Sequence, residues 1–289
     1  MLLLVTVSLL WAFSFGLIKG RLAGLDSAFI SAARLGLALL VFLPFLRLKG
    51  VTLRTAAALI GIGAVQFGVM YLAYNESFRY LAAYEVALFT ITTPILVTLL
   101  ADAFDRTFRQ RALLAALLAM LGTAVVVFQS ASLGGTLKGF LLVQLSNAAF
   151  AAGQVLYRRV RQWPGMRRDR DLFGLLYAGA FALTLPFALL RIDPSTFTLT
   201  FTLTQFTTLT FTQSLTLLYL GIIASGLGFF LWNKGATQVN AGTLAVLNNA
   251  KVPLAVACSL LFFRETADLP RLLLSLAILG SAVWLAGKR

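Results

Sequence analysis

The sequence predicts an all-α integral membrane protein whose ten transmembrane helices form two inverted-topology five-helix repeats. The first observation behind this fold class is the composition. Of the 289 residues, 60% are hydrophobic and only 12% are charged, and the mean hydropathy of +0.89 exceeds that of soluble globular domains. The second observation is a series of ten apolar segments, and the third is an internal repeat.

A helix that crosses the hydrocarbon core of a bilayer needs about 20 mostly apolar residues. Ten segments of about this length follow one another with short connections, which leaves no room for a soluble domain. The first begins at Met1 without a basic region, so we expect a retained helix instead of a cleaved signal. The segments lie near residues 2–18, 28–46, 55–74, 80–101, 110–128, 138–157, 172–190, 214–236, 241–263 and 270–286.

The internal repeat relates residues 61–96 to residues 221–256. With a slip of one residue, Pro94 of the first copy matches Pro253 of the second. The helix after each copy also matches, as LAMLGTAVVV and LAILGSAVWL show. The chain is therefore expected to consist of two related halves.

We expect the first repeat to span residues 1–130 and the second to span residues 131–289, with five helices in each. Because five is odd, the second copy enters the membrane from the opposite side. In proteins built from such inverted repeats, the substrate binds near the bilayer midplane between the halves.

The Thr-rich stretch at residues 195–216 alternates threonine with apolar residues, which is typical of a β-strand. An open strand edge cannot lie in lipid, because its backbone polar groups would lack partners. We therefore expect an outer connection or an interfacial segment whose last residues join the eighth helix.

The net charge of +14 comes from Lys and Arg residues scattered through short loops, so we expect no nucleic-acid partner. If the N-terminus is cytoplasmic, fifteen of the 24 Lys and Arg residues flank the cytoplasmic ends of the spans and seven flank the outer ends. This excess predicts that both termini are cytoplasmic. The remaining two, Arg34 and Lys251, lie inside spans.

Several kinds of chemistry are excluded by the residue types present. The chain has one cysteine, Cys258, and no histidine, so we expect no intramolecular disulfide, no imidazole metal site and no histidine catalyst. It contains no Walker A motif for ATP binding. We expect no catalytic residues, no metal and no cofactor, and a gradient or a partner would supply the energy for transport.

The ninth predicted span holds an unusual polar group in GTLAVLNNAKVPLA. Lys251 lies roughly 15 Å from either end of the span at 1.5 Å per residue, so its amine should face protein or a water-filled cavity. Asn248 and Asn249 lie nearby, and Pro253 frees a backbone carbonyl at the same depth. We interpret this group as a polar floor for a solute. The alternative is that the amides link helices and that Lys251 pairs with a buried partner.

Other spans carry polar and aromatic residues at comparable depths, as a small ligand with an apolar body and polar ends requires. Each aromatic residue taken singly also suits packing or an interfacial belt. Glu85 lies well inside a span and is our candidate for proton coupling, with an ion pair to Arg79 as the alternative. Arg34 is expected to pair with Glu85 or to attract anions. The candidates at these depths, besides the polar group of the ninth span, are Trp11, Ser14, Gln66, Tyr71, Tyr74, Gln144, Ser146, Asn147, Trp232 and Asn233.

These features, with LLWAFSF around Trp11 and Arg34 in the second span, resemble the drug/metabolite transporter superfamily in its form with two EamA domains. The resemblance extends over essentially the whole chain. More narrowly, LVFLPFLR, LLLVQLSN and ASGLGFFLWNKGATQVNAGTLAVLNN resemble the bacterial carboxylate/amino acid/amine transporter group, and most closely its high-affinity biotin-uptake branch.

The resemblance implies a multi-pass carrier of the bacterial cytoplasmic (inner) membrane, either a monomer or a homodimer, that imports biotin by secondary active transport with alternating access. It also implies a cavity lined by helices 1, 3, 4, 6, 8 and 9, with helices 5 and 10 at the back. Carried onto this sequence, it points to Glu85 and to eight predicted substrate contacts, which are Trp11, Tyr74, Asn147, Trp232, Asn233, Asn248, Asn249 and Lys251.

Biotin suits the candidate residues chemically. The amides of Asn147, Asn248 and Asn249 would hydrogen-bond the ureido ring, Trp and Tyr faces would pack on the thiophane ring, and Lys251 would pair with the valerate carboxylate. The competing interpretation is a carrier that exports or imports amino acids or other small metabolites. An intramembrane enzyme and a purely structural membrane subunit are two further classes.

Overall fold

The computed structural model describes residues 1–22, 24–81, 86, 89–127, 137–192, 199–201, 208–262 and 269–287. This part of the chain forms ten helices and one pair of short strands, and the helices follow the ten predicted spans in order. The helices are α1 (Leu2–Arg21), α2 (Ser27–Phe42), α3 (Leu53–Ser77), α4 (Thr93–Asp105), α5 (Gln110–Val127), α6 (Leu137–Val160), α7 (Asp169–Leu189), α8 (Phe211–Ala236), α9 (Ala241–Phe262) and α10 (Leu269–Gly287), and the strands are β1 (Leu190–Ile192) and β2 (Leu199–Phe201).

The lengths and composition of the helices are those of a multi-pass membrane protein. Within the described residues, five helical stretches are long and apolar enough to cross a bilayer, and shorter apolar stretches occur in α1, α5 and α10. The five long stretches are Ser27–Phe45, Leu53–Ser77, Leu137–Val160, Asp169–Leu189 and Phe211–Ala236.

Polar side chains define where several helices begin, because they accept hydrogen bonds from the first backbone N–H groups. Asp26 Oδ1 accepts from the backbone nitrogens of Ala28 and Phe29, both at 3.0 Å, at the start of α2. Thr52 Oγ1 accepts from Thr55 N at the start of α3. These capping residues lie at the edges of the apolar stretches, which explains why hydropathy located the helices closely.

The Thr-rich stretch contains more regular structure than we predicted. β2 lies within it and pairs antiparallel with β1, which brings Arg191 opposite Thr200. The alternating pattern therefore corresponds to a real strand over residues 199–201, while residues 193–198 and 202–207 lie outside the described residues. Thr210 and Gln213 form a capping box at the start of α8, as expected for residues that join the eighth helix.

The glycine-rich face of α3 lets α7 cross it in backbone contact, as predicted for small residues between membrane helices. A Cβ atom on Gly63 would lie 1.9 Å from Leu176 O, and one on Gly179 would lie 2.0 Å from Ile60 O. Any larger residue at these two positions would push α3 and α7 apart.

Helices α5 and α10 pack against each other and against α9. Their contact consists mainly of small and aliphatic residues, including Ala115, Ala119, Leu279 and Ala282, and Val246 of α9 completes it. This arrangement agrees with the expected place of the fifth and tenth helices behind the others.

The helical path breaks immediately before α4. Ile91 and Thr92 form a turn, and Pro94 has no N–H to donate to the carbonyl of Thr90. Thr93 Oγ1 donates to that carbonyl instead, at 2.7 Å. The break leaves neighbouring carbonyls inside the bundle, where they need other donors.

Helices α3 and α8 each contain a π-helical segment, Ala64–Val69 and Tyr219–Leu227 respectively. Such segments leave some carbonyls without their usual helical donors. In α8, Trp11 Nε1 donates to Ala224 O at 2.8 Å, and Tyr177 OH donates to the carbonyls of the next two residues at 2.8 and 2.6 Å. Side chains of α1 and α7 therefore complete the hydrogen bonding of α8.

Candidate functional site

A cavity lies between helices from both halves of the chain. Its lining comes from α1, α2, α3, α4, α6, α8 and α9, together with Thr90 at the break before α4. The centres of water molecules can occupy about 80 Å³ of it, well above the roughly 10–15 Å³ that a single water needs. The lining residues are Trp11, Ser14, Ile18, Arg34, Met70, Tyr71, Tyr74, Thr90, Thr93, Ser146, Asn147, Phe150, Phe229 and Lys251.

Lys251 brings a positive charge to this cavity from the middle of α9. Its Nζ lies 5.7 Å from the centroid of the Trp11 ring, in a cation–π contact. In the described part of the chain, the ion pairs involve other residues, so no carboxylate there neutralises Lys251. An ammonium in this environment favours a negatively charged ligand.

Arg34 contributes a second cation from α2, and its side chain is buried. Nε donates to Ser225 Oγ at 3.2 Å, Nη2 donates to Tyr71 OH, and the guanidinium carbon lies 4.2 Å from the Tyr71 ring centroid. We expected Arg34 to pair with Glu85 or to attract anions, and the partners observed are hydroxyl groups. Glu85 lies outside the described residues, and Arg79 pairs with Glu76 at 3.0 Å.

Asn147 lies on α6 where this helix passes the break before α4. Its Nδ2 donates to the Phe89 carbonyl at 2.9 Å and to Thr92 Oγ1 at 3.2 Å, and Gln144 Nε2 donates to the same carbonyl at 3.1 Å. These amides supply the donors that the break requires. Asn147 Oδ1 accepts no hydrogen bond from the described residues, so it remains available as an acceptor on the cavity wall.

Aromatic rings form the apolar part of the cavity wall. The Phe229 centroid lies 5.2 Å from that of Trp11, 5.6 Å from that of Tyr71 and 6.0 Å from that of Phe150. Tyr74 lines the same cavity, one turn beyond Tyr71 on α3. Rings in contact with one another offer flat apolar faces to a compact ring system.

Two other predicted contact residues, Trp232 and Asn248, meet around Gln154 instead of lining the cavity. Trp232 Nε1 donates to Gln154 Oε1 at 3.0 Å, and Asn248 Nδ2 donates to the same oxygen at 3.2 Å. The Trp232 centroid lies 5.0 Å from that of Trp11. This cluster therefore lies directly behind the cavity wall and joins α6, α8 and α9.

Asn233 and Asn249 also link helices. Asn233 exchanges two hydrogen bonds with Gln66 of α3, at 2.7 and 3.0 Å. Asn249 Nδ2 donates to the Ile91 carbonyl at the α4 break, at 3.0 Å, while its Oδ1 accepts no hydrogen bond from the described residues. The structure thus brings Trp11, Tyr74, Asn147 and Lys251 to the cavity and uses the other four predicted residues between helices. Direct substrate contact by those four stays a prediction, as does proton coupling by Glu85.

Several functional residues did not stand out in the sequence. Ser225 and Gln154 organise the two hydrogen-bond networks next to the cavity, and Thr90 and Thr93 line it at the α4 break. Ser225 lies between glycines in ASGLGFF and Gln154 lies in an otherwise apolar part of α6. The available signal was the presence of a polar residue within an apolar span. The sequence does not show which neighbouring helix that polar side chain faces.

A wider basin lies beyond the Gln154 cluster, at the opposite end of α6 from Ser146 and Asn147. It is lined by Asp105, Arg109, Arg158 and Arg159 among other residues. Asp105 accepts from Arg109 and from Arg159, so it ties the end of α4 to α6. Arg158 Nη2 donates to the carbonyl of Val239 at 2.8 Å, which ties α6 to the loop before α9.

A mainly helical, multi-pass membrane protein with a cavity between its helices that combines charged, polar and aromatic groups has the architecture of a small-molecule carrier. The family comparison agrees with this class. The chain matches the EamA-like transporter family over residues 1–128 and 137–287, and it belongs to that family.

Relatives that match nearly the whole chain are named as transporters. A protein of Pseudomonas aeruginosa named "Probable biotin transporter" is 45% identical over 97% of this chain and 95% of its own length. Proteins named "Biotin transporter" from Salmonella typhimurium and Escherichia coli K12 are 38% and 37% identical over 100% of this chain and 93% of their own lengths. A protein of known crystal structure, 18% identical, superimposes with a TM-score of 0.76 over 100% of this chain and 98% of its own, and shares the fold. The relatives are transporters and not enzymes.

Proposed function

We propose that this protein imports biotin across the bacterial cytoplasmic membrane by alternating access. The observation that carries the proposal is the cavity in which two cations, an amide acceptor and a wall of aromatic rings come together. Relatives named biotin transporters, which match this chain over nearly its full length, support the choice of substrate.

The groups of biotin match the groups on the cavity wall. A ureido N–H would donate to Asn147 Oδ1, and the thiophane ring would pack against Trp11 and Phe150. The carboxylate would be drawn to the cations, with Lys251 as the sequence-predicted partner. Trp232, Asn233, Asn248 and Asn249 would hold the floor of the cavity and meet the substrate as the helices move.

Alternating access would follow from two five-helix repeats, residues 1–130 and 131–289, of opposite topology. Three observations support this division. The family match falls into two stretches on either side of residue 130, the third helix of each half carries a π-helical segment, and both halves line the cavity. Each chain encloses its own cavity, so a monomer suffices for transport and a homodimer would hold two cavities.

With both termini in the cytoplasm, as the distribution of Lys and Arg predicts, the cavity would reach from the middle of the membrane toward its outer side. It is lined by the middle and later turns of α1, by the last turns of α3, and by the middle turns of α2, α6 and α9. The contacts of Asp105 with Arg109 and Arg159 would then lie at the cytoplasmic end, where they line the wider basin and would limit its further opening.

Importing an anion against an interior-negative potential costs about 2.3 kcal/mol per charge per 100 mV. A co-transported proton would remove this cost, and Glu85 remains our candidate to carry it. The test is uptake by Glu85→Gln in the presence and absence of a proton gradient. We expect the variant to lose its response to the gradient, and a full response would remove this role.

Equilibrium binding of labelled biotin to the purified protein tests the substrate directly. We expect saturable binding by the wild-type protein and at least about tenfold weaker binding by Lys251→Ala, since loss of about 1.4 kcal/mol corresponds to a factor of ten. Competition with a panel of amino acids separates the alternative carrier. Failure of biotin to bind, or displacement by amino acids at lower concentrations than unlabelled biotin, would overturn the proposal.

A further inference from the structure

The two cations of the cavity are held differently, and Arg34 is the more rigidly placed. Its side chain is 3% exposed. Two of its three nitrogens are bonded, Nε to Ser225 Oγ and Nη2 to Tyr71 OH, and the guanidinium lies over the Tyr71 ring. A planar guanidinium with these contacts has little freedom to turn.

The hydrogen atoms of the two hydroxyls can be assigned. Ser225 Oγ donates its hydrogen to Leu220 O at 2.7 Å, a carbonyl of the π-helical segment in α8. Tyr71 OH must then donate across the 2.9 Å that separates it from Ser225 Oγ. Both hydroxyl oxygens are therefore left as acceptors for Arg34. They fix its orientation while they leave its positive charge unneutralised.

The third nitrogen of Arg34 lacks an acceptor. Nη1 is buried and has no hydrogen-bond partner among the described residues, an arrangement that is rare for a buried polar atom. Arg34 lines the cavity, and the described lining residues include no carboxylate. An acceptor for Nη1 would thus come from a ligand, and a carboxylate forms the strongest hydrogen bonds with a guanidinium.

We infer that Arg34 binds the carboxylate of the transported molecule through Nη1 and makes the carrier select free acids over their amides. The inference rests on the proposed function and adds the residue that recognises the charged group of the substrate. Lys251, whose ammonium lies over the Trp11 ring, adds positive charge to the cavity. Tyr71 and Ser225 are positioning residues, because they hold the guanidinium from α3 and α8.

Calorimetric titration of the purified protein with biotin and with biotin amide tests this assignment. The amide keeps both rings of biotin but lacks the negative charge. We expect wild-type protein to bind the acid roughly 100-fold more tightly than the amide, because the amide leaves a buried cation without its counter-ion. We expect this ratio to fall below about fivefold in Arg34→Gln, chiefly through weaker binding of the acid.

The acid-to-amide ratio separates ligand recognition from a structural role, because general damage to the cavity weakens both ligands alike. Tyr71→Phe and Ser225→Ala keep Arg34 but remove one bond each, and we expect the ratio to fall by at least about threefold in both. These two variants decide the matter if Arg34→Gln fails to fold. A wild-type ratio in Arg34→Gln, or in both positioning variants, would overturn the inference, as would a ratio abolished in Lys251→Gln and retained in Arg34→Gln. If wild-type protein binds no biotin, the proposed function itself fails.

Discussion

Gln66 and Asn233 form a reciprocal amide pair at the centre of the molecule, with hydrogen bonds of 2.7 and 3.0 Å, and both side chains are fully buried. They belong to α3 and α8, which the internal repeat aligns with each other. The pair therefore joins corresponding helices of the two halves. Asn233 was predicted to contact substrate, and in this structure its amide is used by Gln66.

Removal of this amide pair is expected to lower stability more than substrate affinity. Asn233→Ala leaves the Gln66 amide buried without a partner, which costs about 1–3 kcal/mol. Interhelical hydrogen bonds in membrane proteins couple by about 0.6 kcal/mol on average and up to about 1.7 kcal/mol. A double-mutant cycle with Gln66→Ala, measured by denaturation in detergent, should give a coupling energy in that range. A coupling energy of zero with a large loss of biotin affinity would assign Asn233 to the substrate instead.

Asn147 and Gln144 form a matched pair for testing the cavity wall. Both donate to the Phe89 carbonyl, and of the two only Asn147 lines the cavity. We expect Asn147→Ala to weaken biotin binding about tenfold, the effect of losing roughly one good hydrogen bond. Gln144→Ala should change the affinity less than about threefold while lowering thermal stability similarly. Equal losses of affinity in the two variants would show that support of the α4 break, and not ligand contact, sets the affinity.

Trp11 has two separable roles, one for the N–H group of its indole and one for the face of the ring. Nε1 donates to the Ala224 carbonyl freed by the π-helical segment, and the ring face lies under the Lys251 ammonium. Trp11→Phe removes the donor and keeps a ring, so we expect destabilisation of about 1–3 kcal/mol with biotin affinity kept within about threefold. Trp11→Ala should lose stability and at least about tenfold in affinity. Thermal unfolding and biotin binding, measured on the same preparations, separate the loss of stability from the loss of affinity.

The ion pairs of Asp105 with Arg109 and Arg159 should limit further opening of the wider basin, which lies at the C-terminal end of α6. Exposed ion pairs contribute about 0–1 kcal/mol each, and of the two pairs at Asp105 the one with Arg159 joins α4 to α6. Loss of that pair in Asp105→Asn should raise the fraction of molecules open at that end by up to about fivefold. The measurement is the labelling rate of Val155→Cys, a buried basin residue, in a Cys258→Ser background. Arg79→Gln is the control, because it breaks the ion pair to Glu76 on a different loop. Unchanged labelling in Asp105→Asn would show that this network does not close the basin.

The number and order of the helices could be predicted because lipid imposes a strict rule on the sequence. Each span has to satisfy its own backbone hydrogen bonds and present about 20 apolar residues, and both features are local. Irregular backbone was harder to predict. The break at Ile91 and the π-helical segments depend on donors such as Asn147 and Trp11 from other helices, and the β1–β2 pair joins two separate segments of the chain.

For a related reason, four of the eight predicted contact residues line the cavity and the other four lie between helices. Hydropathy identifies polar residues at mid-span, such as Lys251 and Asn248, but it does not show which side of a helix faces the cavity. Lys251 lines the cavity, whereas Asn248 one turn away bonds to Gln154. Arg34 was recognised as a buried cation, but its hydroxyl partners are brought to it by tertiary packing alone.

Uptake of labelled biotin into liposomes that contain the purified protein is the most direct test of the central claim, that the cavity around Lys251 carries biotin across the membrane. We predict saturable uptake by the wild-type protein, and a loss of at least about tenfold in Lys251→Ala at low biotin concentration. Absence of uptake by correctly folded wild-type protein, or equal uptake by Lys251→Ala, would contradict the account.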